Sequence, residues 1–178
     1  MNLPNALSLT RVLLIPLFVI LIMNERFGWA LVIYAIAGIT DGLDGLIARV
    51  THQRTELGAY LDLIADKILI SASFVTLAII QIIPSWLAVL VITRDVLIVT
   101  GLFVMILTNR HVRMQPSLAS KVTTFFQIST ILLALMARCG LMDAKFVSFA
   151  IYGTAIFTMV SGFHYIFMAA RFLTPKRN

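Results

Sequence analysis

Six long apolar segments follow one another along the chain, and they constrain its fold more than any other feature. Each has about 20 residues or more, the length of an α-helix that crosses a hydrocarbon core of about 30 Å. Hydrophobic residues make up 60% of the 178 residues and charged residues 12%, whereas soluble proteins have roughly 45–50% and about 25%. The chain is therefore predicted to be one all-α integral membrane domain, residues 1–178. The six transmembrane helices are predicted at 7–24, 27–50, 58–81, 85–108, 118–138 and 145–172.

The basic residues are divided unequally between the two sides of the predicted membrane. Six spans place both termini on one side, and if that side is cytoplasmic, nine basic residues lie in inner segments and three in outer loops. This satisfies the positive-inside rule, and it predicts a bacterial inner membrane or its mitochondrial equivalent. Because the basic residues lie between apolar runs and not in one stripe, the net charge of +6 indicates attraction to membrane lipids. No nucleic-acid partner is predicted.

Four aspartates lie in the second and third spans, although an aspartate at mid-span costs about 2.5–3.5 kcal/mol on insertion scales. Asp41 and Asp44 are three residues apart, and therefore share one helix face. Asp62 and Asp66 are four apart and also share a face. The second span runs inward and the third runs back out, so we expect all four carboxylates at a similar depth near the cytoplasmic end of two facing helices. Such oxygen ligands suit Mg²⁺, Mn²⁺ or Ca²⁺, and two ions about 3.5–4 Å apart could flank a transferring phosphoryl group.

Two other interpretations of these acids compete with a metal site. Structural ion pairs with Lys67, Arg49 and Arg94 would leave an excess of negative charge, because three cations face five carboxylates in or near the spans. A proton or cation transporter also uses acids within a membrane. Such a pathway is expected to distribute its acids along its depth, however, and here they cluster at one end.

Small residues accompany the acids on the second span. Gly38 and Gly42 form a small-xxx-small pair, which Gly45 and Ala48 extend. Such a face permits close helix packing, and it would equally let a nucleotide lie against the helix backbone. Both interpretations stay open at this point.

The segment from Asp41 to Asp66 resembles the signature D-x2-D-G-x2-A-R-x8-G-x3-D-x3-D of the CDP-alcohol phosphatidyltransferases and matches it without departure. The resemblance covers most of residues 2–130. It includes the opening Asn2-Leu3-Pro4-Asn5 with Arg11, which looks like the start of the glycerophospholipid branch.

The resemblance implies a homodimeric six-helix fold and a one-step displacement. An acceptor hydroxyl would attack the β-phosphorus of CDP-diacylglycerol, and CMP would leave. Asp41, Asp44 and Asp62 would be ligands of two divalent metal ions, Mg²⁺ or Mn²⁺. Asp66 would take the acceptor's proton while also touching the second metal. The residues lining the CDP site would be Gly42, Gly45, Ala48, Arg49 and Gly58.

Arg94 and Lys121 are the candidate ligands for a phosphate group of the acceptor. Arg94 lies mid-span, where either bidentate phosphate binding or a buried pair with an aspartate would explain it. Lys121 opens the fifth span on the cytoplasmic side. Family members that use glycerol 3-phosphate usually carry Arg-Glu and Gly-Lys-x-Lys-Thr at these places.

This chain has Arg94-Asp95 and a single lysine in Ser120-Lys121-Val122-Thr123-Thr124. Both departures resemble the members that use phosphatidylglycerol. A singly charged phosphodiester needs fewer cations than a phosphomonoester of charge near −2, so phosphatidylglycerol is the favoured acceptor and glycerol 3-phosphate the alternative.

Overall fold

The six predicted helices are present in a computed structural model of the chain. The structure describes residues 3–50, 56–107 and 118–173, and the side chains of residues 10–40, 64–101 and 120–167. Within these ranges every regular element is an α-helix. The elements are α1 (Leu3–Met23), α2 (Phe27–Val50), α3 (Glu56–Ile79), α4 (Ser85–Leu107), α5 (Leu118–Arg138) and α6 (Ala144–Leu173). The all-helical prediction is confirmed.

Every helix end lies within four residues of its predicted position. The largest difference is at α1, which begins at Leu3 and not at residue 7. Pro4 explains the earlier start, because a proline in the first turn lacks only an N–H that would have no partner inside the helix. The helix also continues through Pro16.

The turns after α1, α3 and α5 share one helix-ending motif. Each contains a residue with positive φ: Glu25 at 57°, Gln81 at 59° and Gly140 at 73°. In the third turn the N–H of Leu141 donates to the carbonyl of Met136 over 2.9 Å, the six-to-one bond that accompanies a left-handed residue at a helix C-terminus. These turns are short, so α1 and α2, α3 and α4, and α5 and α6 are consecutive antiparallel pairs.

The helices form two four-helix groups that share α3 and α5. The first bundle consists of α1, α2, α5 and α3, and the second bundle consists of α3, α5, α6 and α4, each helix contacting its two neighbours in that order. In the described part of the chain α2 and α3 do not pack directly on each other. The two helices that carry the predicted acids therefore face each other across the first bundle, between α1 and α5.

Large apolar side chains fill the centre of both bundles. Phe18, Phe74, Leu77, Ile131 and Leu135 are fully buried and belong to one continuous core. Other large apolar side chains are exposed on the outside of the bundle, including Leu13, Phe125, Phe149 and Phe163.

Two described stretches are long and apolar enough to cross a membrane. They are Ser120–Arg138 and Ala144–Phe167, with mean hydropathies of 1.4 and 1.6. The stretches Thr10–Met23 and Phe27–Thr40 are apolar but shorter.

Candidate active site

An ion pair joins α1 to α3 in the half of the first bundle where both helices begin. The Arg11 guanidinium donates from Nη1 to Oδ1 of Asp66 over 2.5 Å. The two side chains differ in exposure, since Arg11 is 1% exposed and Asp66 is 36% exposed. Asp66 is the predicted proton acceptor. The buried Arg11 contacts one side of its carboxylate, and another part of the carboxylate is exposed.

The helix register brings the position of Asp41 to the depth of this ion pair. The rings of Phe18 on α1 and Tyr34 on α2 lie 5.5 Å apart, and the two helices are antiparallel. Arg11 precedes Phe18 by seven residues and Asp41 follows Tyr34 by seven. Seven residues are about two helical turns and return to nearly the same face. Position 41 of α2 therefore lies at about the level of Arg11.

The same reasoning relates Lys121 on α5 to Asp44 on α2. The Arg138 guanidinium stands 5.4 Å from the centre of the Phe27 ring, which aligns the end of α5 with the start of α2. Lys121 precedes Arg138 by 17 residues, and Asp44 follows Phe27 by 17. The exposed Lys121 and position 44 therefore lie at a similar depth. Each helix of the first bundle thus brings a charged residue to one level.

A second polar cluster lies in the second bundle and is centred on Arg94. Its guanidinium donates from Nη1 to Oδ1 of Asp95 over 2.7 Å and from Nη2 to the Ser120 hydroxyl over 2.7 Å. It also donates to the Ser161 hydroxyl, from Nη2 over 3.0 Å and from Nε over 3.3 Å. Lys67 on α3 donates to the same Asp95 oxygen over 2.7 Å. We name this set (Lys67, Arg94, Asp95, Ser120 and Ser161) the Arg94 cluster, and it takes at least one residue from each helix of the second bundle.

The sequence left two interpretations of Arg94, phosphate binding or a buried pair with an aspartate, and the Arg94 cluster contains the buried pair. Arg94 is 2% exposed and Asp95 is 3% exposed, so the buried pair with an aspartate is present. Each guanidinium nitrogen has a partner within the cluster. Direct binding of an acceptor phosphate by Arg94 stays a prediction, and it would require one of these contacts to break.

Further hydroxyl groups form hydrogen bonds between α5 and α6, beyond the Arg94 cluster along α5. The Thr123 hydroxyl donates to the Phe157 carbonyl over 3.0 Å, and the hydroxyls of Thr130 and Thr154 are bonded to each other over 2.8 Å. Thr123 is the residue that the sequence comparison above set against the second lysine of members that use glycerol 3-phosphate. In this chain that position is fully buried and faces α6.

Most of the predicted metal and nucleotide residues fall outside the described side chains. Their backbone places Asp41 and Asp44 near the end of α2 and Asp62 near the start of α3. Among the side chains that are described, no group of three His, Cys, Asp or Glu forms a cluster. The other predicted residues in the undescribed part are Gly42, Gly45, Ala48, Arg49 and Gly58.

Sequence reasoning missed a structural role for Arg11, which it counted only as an inner basic residue and as part of the opening motif. The signal was available in the spacing. Arg11, Ile15, Phe18 and Ile22 are separated by four, three and four residues, which is the pattern of one buried helix face. All four are buried, and an arginine in such a stripe requires a partner.

Comparison with known proteins finds one family whose model matches most of the chain. The family model for CDP-alcohol phosphatidyltransferases matches residues 1–168. The chain is 36% identical over 181 residues to the human cardiolipin synthase (CMP-forming), an alignment that covers 92% of the chain and 60% of the human protein.

The chain aligns with a larger share of two bacterial relatives than of the human protein. The CDP-diacylglycerol--glycerol-3-phosphate 3-phosphatidyltransferase of Bacillus subtilis is 31% identical, over 92% of the chain and 93% of that protein. The probable phosphatidylglycerophosphate synthase of Mycobacterium tuberculosis is 33% identical, over 96% of the chain and 82% of that protein. The chain therefore resembles proteins of both acceptor types, and it spans three fifths of the human relative's length.

Proposed function

The chain belongs to the CDP-alcohol phosphatidyltransferase family, and from this premise we propose that it transfers a phosphatidyl group from CDP-diacylglycerol to a glycerol-type hydroxyl and releases CMP. The favoured acceptor is phosphatidylglycerol, which would make the chain a cardiolipin synthase. The alternative acceptor is glycerol 3-phosphate, and the Bacillus subtilis relative, which aligns over nearly its whole length, is the observation in its favour.

One observation carries the proposal: the helix register of the first bundle. The complete family signature lies on α2 and α3, and Arg11 contacts Asp66 at the level of position 41. Acids at very different depths could not act together on a single phosphorus atom. Their common depth supports a shared site between α2 and α3.

The reaction is a single displacement. The acceptor hydroxyl oxygen forms a bond to the β-phosphorus of CDP-diacylglycerol, the bond from that phosphorus to the bridging oxygen breaks, and CMP leaves with the bonding electrons. Asp66 takes the hydroxyl proton. A general base must come within hydrogen-bond distance of that proton, and the carboxylate of Asp66 is partly exposed and therefore accessible to an acceptor. Gly42, Gly45, Ala48, Arg49 and Gly58 line the CDP site.

The donor set of the signature fits two divalent metal ions, Mg²⁺ or Mn²⁺. It consists of carboxylates from two helices, without sulfur or imidazole, and hard oxygen ligands of this kind suit both ions. Asp41, Asp44 and Asp62 would hold them, with Asp66 touching the second. Bound ions would neutralise the pyrophosphate charge and stabilise the leaving CMP.

Lys121 is the residue that we assign to the acceptor's phosphate, with Arg94 as a second candidate. Lys121 is exposed and lies near the level of Asp44. Thr123 is buried against α6, so a lysine in its place would have to enter the α5–α6 packing. A site with one lysine supports the singly charged phosphodiester of phosphatidylglycerol as acceptor.

The proposal includes a membrane location with all six helices spanning the bilayer and the active site on the cytoplasmic side. Exposed apolar side chains support contact with lipid, and so do Trp29 and Trp86. These tryptophans are exposed and lie near the starts of α2 and α4, where aromatic residues mark the membrane–water interface. A homodimer is proposed from the family resemblance alone, and chemical cross-linking in native membranes tests it.

The test is an acceptor competition. Purified chain in mixed micelles with Mg²⁺ or Mn²⁺ is given labelled CDP-diacylglycerol together with phosphatidylglycerol and glycerol 3-phosphate, and both CMP and the labelled lipid are identified. We expect CMP release with cardiolipin as the main product. Phosphatidylglycerophosphate as the main product would establish the alternative acceptor.

Two controls accompany this test. Chelation by EDTA and the substitution Asp66→Asn should each abolish CMP release. Absence of CMP release with every acceptor, or full activity of Asp66→Asn, would overturn the proposed function.

A further inference from the structure

We propose that Arg11 is a positioning residue for Asp66, orienting its carboxylate for proton transfer from the acceptor hydroxyl. This inference rests on the proposed function, because it assigns Arg11 a part in the reaction that Asp66 performs. Arg11 lies on a different helix from every residue of the family signature, and it contacts Asp66 across 55 positions of sequence.

The contact geometry supports a positioning role. An aspartate that is 36% exposed has several rotamers within reach, and an active-site base works best when its rotamer is held by surrounding groups. Nη1 of Arg11 holds Oδ1 over 2.5 Å. With one oxygen held, the orientation of the whole carboxylate relative to α3 is restricted.

The burial of Arg11 excludes direct substrate binding in this arrangement. The side chain is 1% exposed and lies in the buried stripe of α1 with Ile15 and Phe18. A guanidinium in that place has no open path to a phosphate or a hydroxyl. An effect of Arg11 on the reaction is therefore transmitted by the side chains that it contacts, of which Asp66 is the one described.

Electrostatics favour the same conclusion. The family signature puts four acids on α2 and α3, and like charges that share a site require compensation. Lys67, next to Asp66 in sequence, donates to Asp95 in the Arg94 cluster. Arg11 is thus the buried cation of α1 that is described in contact with a signature acid.

The alternative is that Arg11 only fastens α1 to α3. The two roles differ in what they change. A fastening residue alters the amount of folded protein and its stability, while turnover per folded molecule stays constant. A positioning residue lowers kcat at saturating substrates and leaves the KM for CDP-diacylglycerol nearly unchanged.

The experiment compares Arg11→Gln and Arg11→Lys with the wild-type chain, and Arg138→Gln serves as the matched control. Arg138 also bridges two helices, through its contact with Phe27, but it lies at the opposite end of the molecule. Folded protein is quantified by size-exclusion chromatography and thermal unfolding. Initial rates of CMP release are then measured over a range of CDP-diacylglycerol concentrations at saturating acceptor.

For Arg11→Gln we expect kcat per folded molecule to fall about 10- to 100-fold, because a misplacement on the order of 1 Å can reduce a rate about 100-fold. The KM for CDP-diacylglycerol should change less than about threefold. Arg11→Lys should lie between wild type and Arg11→Gln, because a lysine keeps the charge but not the planar donor geometry. Arg138→Gln should keep wild-type turnover.

A kcat per folded molecule equal to that of wild type in Arg11→Gln would overturn the inference, and so would a rise in KM alone. If Arg11→Gln yields no folded protein, Arg11→Lys decides, with a reduced kcat supporting the inference and an unchanged kcat overturning it. The wild-type chain separates the two hypotheses: its release of CMP tests the proposed function, and only the variants test Arg11.

Discussion

Lys67 on α3 and Asp95 on α4 form an ion pair of 2.7 Å in the interior of the second bundle, with side-chain exposures of 14% and 4%. The same Asp95 oxygen accepts from Arg94 over 2.7 Å. One buried carboxylate oxygen therefore compensates two cations on different helices, and the Arg94 cluster depends on it.

Asp95→Asn should destabilise the fold strongly. The substitution keeps the shape of the side chain but removes the charge that Lys67 and Arg94 share, and breaking a buried pair typically costs about 3–5 kcal/mol. Thermal and denaturant unfolding in detergent micelles, followed by circular dichroism, measure the loss. Asp143→Asn is the matched control, because Asp143 is exposed, and it should change the free energy of unfolding by less than about 0.5 kcal/mol. Equal stability of the two variants would contradict the central role of Asp95.

Thr130 and Thr154 make a testable pair in the α5–α6 seam. Thr130→Val and Thr154→Val each leave a buried hydroxyl without its partner, so each should lower the free energy of unfolding by about 1–3 kcal/mol. The double substitution removes both polar groups at nearly constant shape and should recover much of that loss. Unfolding of the four proteins in one double-mutant cycle measures the coupling. Simple additivity would show that the hydroxyls do not interact.

Gly153 on α6 packs against the Phe126 ring of α5. A Cβ at this position would lie 2.7 and 2.8 Å from two atoms of the Phe126 ring, and that ring is stacked on Phe157 with centroids 4.6 Å apart. Gly153→Ala should therefore lower the free energy of unfolding by about 1–3 kcal/mol, the usual effect of overpacking.

Gly101→Ala is its control. A Cβ at Gly101 meets no atom within 4 Å, and alanine favours a helix over glycine by about 1 kcal/mol. This variant should be as stable as wild type or more stable. The two alanine variants should therefore differ in the sign of their effect, and a shared sign would contradict the packing at Gly153.

Lys121→Gln should weaken binding of the acceptor without affecting CDP-diacylglycerol. Loss of one charge-assisted contact to a phosphate is expected to raise the acceptor KM about tenfold, equivalent to about 1.4 kcal/mol. Initial rates with each substrate varied in turn separate the two constants. Lys145→Gln, an exposed lysine at the start of α6, should leave both constants unchanged. A change confined to the KM for CDP-diacylglycerol would contradict this assignment and indicate that Lys121 binds the nucleotide substrate.

Local patterns were sufficient to predict the helices and the family. Apolar segment length and turn residues predicted all six helices to within four residues at each end. The pairing of acids at spacings of three and four depends only on the helical period, so their common face needed no tertiary information. The spacing signature then led to the family that the comparison shows.

Side-chain partners across helices could not be predicted in the same way. The sequence left Arg94 between phosphate binding and a buried aspartate pair, and the fold contains the pair with Asp95, supplemented by Ser120 and Ser161. Arg11 received no structural role before its contact with Asp66 was seen. Asp95 is the sequence neighbour of Arg94, but Ser120, Ser161 and, for Arg11, Asp66 belong to other helices.

The sequence by itself determined the number of helices, their approximate bounds and the family to which the acid-bearing segment points, because these depend on hydrophobic length and on residue spacing within neighbouring segments. Tertiary structure alone decided that α1 and α5 lie between α2 and α3, and that α1 packs on α3 so that Arg11 meets Asp66. The physical reason is that six apolar helices of similar length can pack in several orders. The order is selected by contacts between side chains that are far apart in the chain.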